Sequence, residues 1–140
     1  MNATTYESNR ILNHVFGGAE GGGASVYTPA TNWYVGLSTT IVDATGVVTE
    51  PSGGNYARVE IANDKTTWSD STLATLQNDI SVAFPTSSSS WGTIVSVFLA
   101  RSGTEGTNDA SYYFTLNPSF PVVGGSIVTF AAGTIDVSMP

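Results

Sequence analysis

Cysteine is absent from the 140-residue chain, which excludes a disulfide framework, a thiolate nucleophile and a structural zinc site built on cysteine. Charge is scarce as well, at 11% of residues against about 25% in ordinary soluble domains. Four basic residues face eleven acidic ones, for a net charge of −7 at pH 7. A chain so poor in Lys and Arg is not suited to tracking nucleic-acid phosphates or holding an anionic membrane surface. Long apolar runs are missing too. The most apolar stretch, Ile94 to Ala100, is interrupted by Ser96 and falls far short of the roughly 20 residues a spanning helix needs. Met1 to Glu7 lack the basic start and apolar stretch of a secretory signal, so the expected product is soluble, made in a cytoplasm and not exported by a signal peptide.

What replaces charge is hydroxyl and glycine: 17 Ser, 19 Thr and 15 Gly. With 41% hydrophobic residues the chain can fill one core, and its length suits a single folding unit. Thr4 and Glu7 have capping-box spacing, and Ile11, Leu12, Val15 and Phe16 share a helical face before Gly17-Gly18. A helix over about Thr5 to Phe16 is expected, followed by a Gly-rich linker from Gly17 to Ser25. Residues 1–25 then form a helix-and-linker arm, and residues 26–140 the main body.

From Asn32 the period becomes two. Trp33, Val35 and Leu37 alternate with polar positions, as do Ala57, Val59 and Ile61, and then Ile80, Val82 and Phe84. Trp91 to Ala100 is apolar on both parities, the pattern of a central strand covered on both faces. Tyr112, Phe114 and Leu116 make another strand, expected to end at Asn117-Pro118. Ser126 to Phe130 and Thr134 to Met139 are expected to pair as a hairpin across Ala131-Ala132-Gly133. The fold class is therefore all-β, an antiparallel β-sandwich of seven or eight strands with a short N-terminal helix and Gly-rich linker; a closed barrel is the alternative. Trp91, Ile94, Phe98, Tyr112, Phe114, Ile127 and Phe130 are expected to share one core.

Catalytic chemistry finds little to work with. The one histidine, His14, lies off the apolar face of the helix with no serine in a nucleophile-elbow pattern. The glycines after residue 16 match no phosphate-binding spacing. Glu105, Asn108 and Asp109 share a loop with oxygens for calcium, but in no EF-hand order, and Asn63-Asp64-Lys65 is equally ordinary as a turn. No catalytic residue, cofactor site or metal site is expected, and paired carboxylates for glycoside hydrolysis are scattered. Tyr34, Trp68 and Trp91 are candidates for stacking on sugars; Trp68, in a polar stretch, is the candidate surface aromatic. Ile11, Leu12, Val15 and Phe16 are the candidate partner-docking residues, because so short a helix needs something to pack against.

From Asn32 to Met139 the ordered landmarks resemble a family of small bacteriophage virion proteins, tail-fibre-like or decoration-like. They are Trp33-Tyr34-Val35-Gly36-Leu37-Ser38, Ser52-Gly53-Gly54-Asn55-Tyr56-Ala57-Arg58, Ile80 to Pro85, Trp91-Gly92-Thr93-Ile94 with Val97-Phe98-Leu99, and Val122 to Met139. The resemblance implies a virion structural protein and no enzyme. The expectation drawn from it is a capsid decoration or cement protein that binds the major capsid protein and itself, as a homo-oligomer such as a trimer, and stabilises the head. The alternatives are a tail fibre or baseplate module, and a carbohydrate-binding module contacting host glycans.

Overall fold

The computed structural model describes residues 1–16, 28–106 and 108–138. The expected linker from Gly17 to Ser25 lies outside the described residues. The chain runs β1 (Asn2–Ala3), α1 (Thr5–Val15), β2 (Asn32–Ser38), β3 (Val59–Ala62), β4 (Thr75–Gln77), β5 (Val82–Ala83), β6 (Gly92–Ala100), β7 (Ala110–Val122), β8 (Thr129–Phe130) and β9 (Asp136–Ser138). Five of these strands form one antiparallel sheet in the order β1-β7-β6-β2-β3, while β4-β9 and β5-β8 form two short antiparallel ribbons.

The period-two pattern sets which residues face inward. Trp33, Val35 and Leu37 of β2 are buried on one face, in register with Leu99 and Val97 of β6. That face meets Trp68, Val82, Phe84, Trp91 and Ile135 from the ribbons and their flanks in the larger core. The opposite face carries Phe98, Ala100 and Ala110 under Val42 and Val48 of the segment that follows β2. β6 is thus central and covered on both sides, as its double-parity apolar pattern requires. A sandwich-like arrangement results, with one large sheet and two ribbons instead of two comparable sheets.

Several expectations change. Phe98 lies in the second cluster, apart from Trp91, Ile94 and Tyr112; Phe114 and Phe130 are only partly buried and Ile127 is exposed. In the segment before β3 the polar parity goes inward: Tyr56 and Arg58 are buried while Ala57 and Val59 are not. Asn117-Pro118 does not end β7. Its peptide is cis, and pairing with β6 continues to Val122 across a register shift between Ile94 and Ser96. Nor do the last two runs pair with each other, since β8 joins β5 and β9 joins β4. Buried Asn78 organises that division: its Nδ2 donates to Ile80 O at 2.7 Å and Ala131 O at 3.0 Å, and its Oδ1 accepts from Ile135 N at 2.8 Å.

The helix starts where the capping spacing placed it. Thr4 Oγ1 accepts the Glu7 N–H at 3.4 Å, and Phe16 N donates to Leu12 O at 2.9 Å at the other end. The residues before it belong to the main sheet, because Asn2 and Ala3 pair with Tyr113 and Tyr112 of β7. Thr4 N donates to Ser111 O and Thr5 N to Ala44 O, at 2.8 and 2.9 Å. Together these contacts fix the rotation of α1 about its axis.

Candidate functional site

That rotation turns an unexpected side of α1 towards the body. Glu7 is fully buried, with its carboxylate 3.8 Å from Arg10 and 3.7 Å from Arg101. Of the four candidate docking residues, Ile11 is half-buried, whereas Leu12, Val15 and Phe16 are 53%, 64% and 81% exposed. Tyr6 is exposed too. Single exposed apolar side chains are ordinary on any protein. Here three such side chains fall within five residues at the C-terminal end of α1, with Phe16 as its C-cap.

Of the three aromatic residues expected to stack on sugars, the two tryptophans are buried. Trp68, expected at the surface, is 5% exposed and belongs to the larger core. It is drawn in because the segment between Asp64 and Asn78 folds back on itself: Trp68 N donates to Asp64 O, and Trp68 bridges to Asn78. Its buried Nε1 has no hydrogen-bond partner. Trp91 is buried as well, with Nε1 donating to Gly54 O at 2.8 Å and its ring edge-on to Tyr56 and Phe84. Tyr34 is half-buried, close against Gly103.

Beside Trp68 the surface dips into a depression of about 380 Å³, at the lower end of the range for ligand pockets. Its walls are Trp33, Trp68, Leu76, Leu99, Tyr112 and Val137, with Asn63, Asp64 and Lys65 at the mouth. Trp33 and Tyr112 meet edge to face at 5.6 Å, so the aromatic walls are already packed against each other.

Of the three loop residues considered for calcium, Glu105 is exposed and the other two are engaged within the protein. Asn108 Oδ1 accepts from Val48 N at 3.1 Å, and Asp109 Oδ1 accepts from Arg58 Nη1 at 2.8 Å. Arg58 is the centre of a buried network. Its Nε and Nη2 bind the two oxygens of Glu50 at 2.9 Å each, and its Nη1 also donates to Ser102 O at 2.7 Å. Burial opposes its charge, but the hydrogen bonds and charges of Glu50 and Asp109 outweigh that and hold its pKa above the usual guanidinium value. Tyr56 Oη donates to Glu50 at 2.8 Å, and burial pushes the phenol well above 10.0. These groups hold three loops together.

Two smaller turns repeat one motif. Asp43 Oδ1 accepts from Thr45 N at 2.8 Å and Asp64 Oδ1 from Thr66 N at 2.8 Å. Bonds from the threonine hydroxyl and backbone lower both pKa values. Asp64 is thus accounted for as a turn former, and Lys65 pairs with Asp70 at 2.9 Å. His14 sits exposed on α1. No group of three His, Cys, Asp or Glu suited to a metal occurs among the described residues, and no helix among them is long and apolar enough to cross a membrane.

Sequence reasoning passed over Leu73, which is fully exposed with φ +52°. Nothing in Ser71-Thr72-Leu73-Ala74-Thr75 signals it, since neither Gly nor Asn marks the turn.

Residues 2–138 match the family model described as Podophage GP4 fiber I protein gp80. No curated protein matches the chain.

Proposed function

The chain belongs to the Podophage GP4 fiber I protein gp80 family, and from that premise we propose that it is a non-catalytic module of a phage fibre, anchored to a neighbouring virion protein through the apolar surface of α1. Membership makes it a small phage virion structural protein, tail-fibre-like. The observation that carries the anchoring is the exposure of Leu12, Val15 and Phe16 on a helix whose rotation is fixed by β1 and Ala44. Apolar side chains held outward by a rigid attachment are ready for a partner with no reordering of the helix. The low charge content, 11% of residues, suits permanent packing among other subunits. Glycan binding on exposed indoles loses its support because Trp68 and Trp91 are buried, and the lone histidine, His14, lies exposed on α1 and lends hydrolysis no support.

Decoration of the head, seated on the major capsid protein, would use the same apolar surface and differs in number and place. Quantitative mass spectrometry of purified particles separates the two. A fibre module is expected at a small multiple of the fibre count. A decoration protein would scale with the capsid subunits, and that ratio would overturn the fibre reading. Antibody labelling seen by electron microscopy on fibres, with heads unlabelled, is the matching expectation for location.

A further inference from the structure

Between Trp68 and Asn78 the chain forms a hairpin. The pair Trp68 and Asn78 bridges its base, Ser69 N donates to Gln77 O at 2.9 Å, and at the tip Thr72 and Thr75 exchange backbone hydrogen bonds at 2.9 and 3.0 Å. The two central residues of the turn are Leu73 and Ala74, with φ of +52° and +60°. Two successive left-handed residues define the mirror-image turn that favours Asn-Gly, because a β-carbon crowds the neighbouring carbonyl there. A leucine at this place is disfavoured by its backbone and, being wholly exposed, by water as well. Both penalties fall on one side chain, and burying it against something outside the chain relieves the second.

The depression beside Trp68 offers such a place. Its walls are apolar, yet Trp33, Trp68 and Tyr112 are 7%, 5% and 9% exposed. That leaves little ring surface for a sugar to stack on, while apolar walls that also include Leu76, Leu99 and Val137 can receive an aliphatic side chain. The charges agree. Lys65 stands at the mouth, while Asp70 lies three residues before Leu73 on the hairpin; within one chain they form an exposed pair, 67% and 91% accessible. Exposed pairs of this kind contribute little, so either partner exchanges readily for its equivalent on another copy.

We propose that Leu73 of one copy of this chain seats in the Trp33-Trp68-Tyr112 depression of a second copy, with Asp70 of the incoming hairpin meeting Lys65 of the host. One tip covers far less than the roughly 1,200–2,000 Å² of a stable interface. The contact is therefore weak between free molecules and gains strength where copies are held side by side in a particle, through effective concentration. It serves fibre and shell arrangements alike, so its failure would leave the particle location untouched.

The absence of cysteine allows a direct test on the full-length protein. Ala74→Cys and Asn63→Cys, placed on separate chains of different size, put one thiol beside the tip and one at the mouth. Mild oxidation of the mixture is expected to give the mixed dimer about tenfold in excess of a control pairing Ala74→Cys with Ser88→Cys, because seating holds the thiols together. Adding Leu73→Asp to the Ala74→Cys chain is expected to remove the excess. Leu73→Asn suits the turn geometry, so it should keep or raise Tm while also losing the excess, which separates docking from folding. A mixed dimer at the control level, or an excess that survives Leu73→Asp and Leu73→Asn, would overturn the proposal. So would amide NMR shifts around Trp68 produced by a monosaccharide or another virion protein but not by raising the concentration of the chain itself.

Discussion

The ring of Phe98 lies across Gly36, its register partner on the neighbouring strand, so closely that a β-carbon at Gly36 would stand 2.2 Å from Cζ. The Arg58 guanidinium lies 5.0 Å from the centroid of the same ring. Phe98 is fully buried and cannot swing aside. Gly36→Ala is therefore expected to cost at least the usual 1–3 kcal/mol or so of overpacking. Urea unfolding checks it, and Phe98→Leu in the same chain should recover part of the loss by vacating the space.

Arg58→Met is expected to destabilise by about 3–5 kcal/mol, because it strands the buried Glu50 carboxylate without its bidentate partner. Adding Glu50→Gln should restore part of that. A double-mutant cycle in urea reads the coupling, and strict additivity would show that the two residues act independently.

Alkaline pH should loosen the fold through Tyr56. Its folded pKa lies above the 10.0 of a free phenol, chiefly through burial. The folded state thus holds the proton where the unfolded state releases it, so the stability this group confers is complete below pH 10 and declines as pH rises further. Tyr56→Phe should flatten the fall in urea midpoint above pH 10. At neutral pH it should cost roughly 0.5–1.5 kcal/mol for the bond to Glu50 and the Leu37 N–H.

Leu12→Glu with Phe16→Glu is expected to leave stability within about 0.5 kcal/mol, since both side chains are exposed. Incorporation into particles should be lost. Substitution is a cleaner test than removing the segment, because truncation would strip β1 from the edge of the sheet. Particles that carry the variant at full occupancy would contradict anchoring through α1.

Local pattern carried most of what could be read in advance. β2 and β6 are legible because one alternates cleanly and the other is apolar on both parities, and α1 is legible from Thr4 and Glu7. What stayed hidden depends on distant partners. Arg58 points inward only because Glu50 and Asp109 reach it from other loops, and no periodicity announces that. The separation of β8 from β9 rests on one buried side chain, Asn78, which binds the backbone on both sides of Gly133. The composition of α1 was readable, whereas its orientation follows from the pairing of Asn2 and Ala3 with β7. Trp68 looked polar by its neighbours and is buried by the hairpin that starts at it.

The strand order β1-β7-β6-β2-β3, with β4 and β5 waiting for β9 and β8, sets the timing of assembly. A growing chain holds β2 and β3 long before β6 and β7 exist, and β1 must wait for residues more than a hundred positions later. Residues 129–138 close the two ribbons over the large core. Such closure of long loops is slow, in the millisecond-to-second range for folds dominated by distant pairings. During synthesis the apolar face of β2 and β6 lies open, and chaperone capture of nascent chains should fall away once residues 129–138 clear the ribosome.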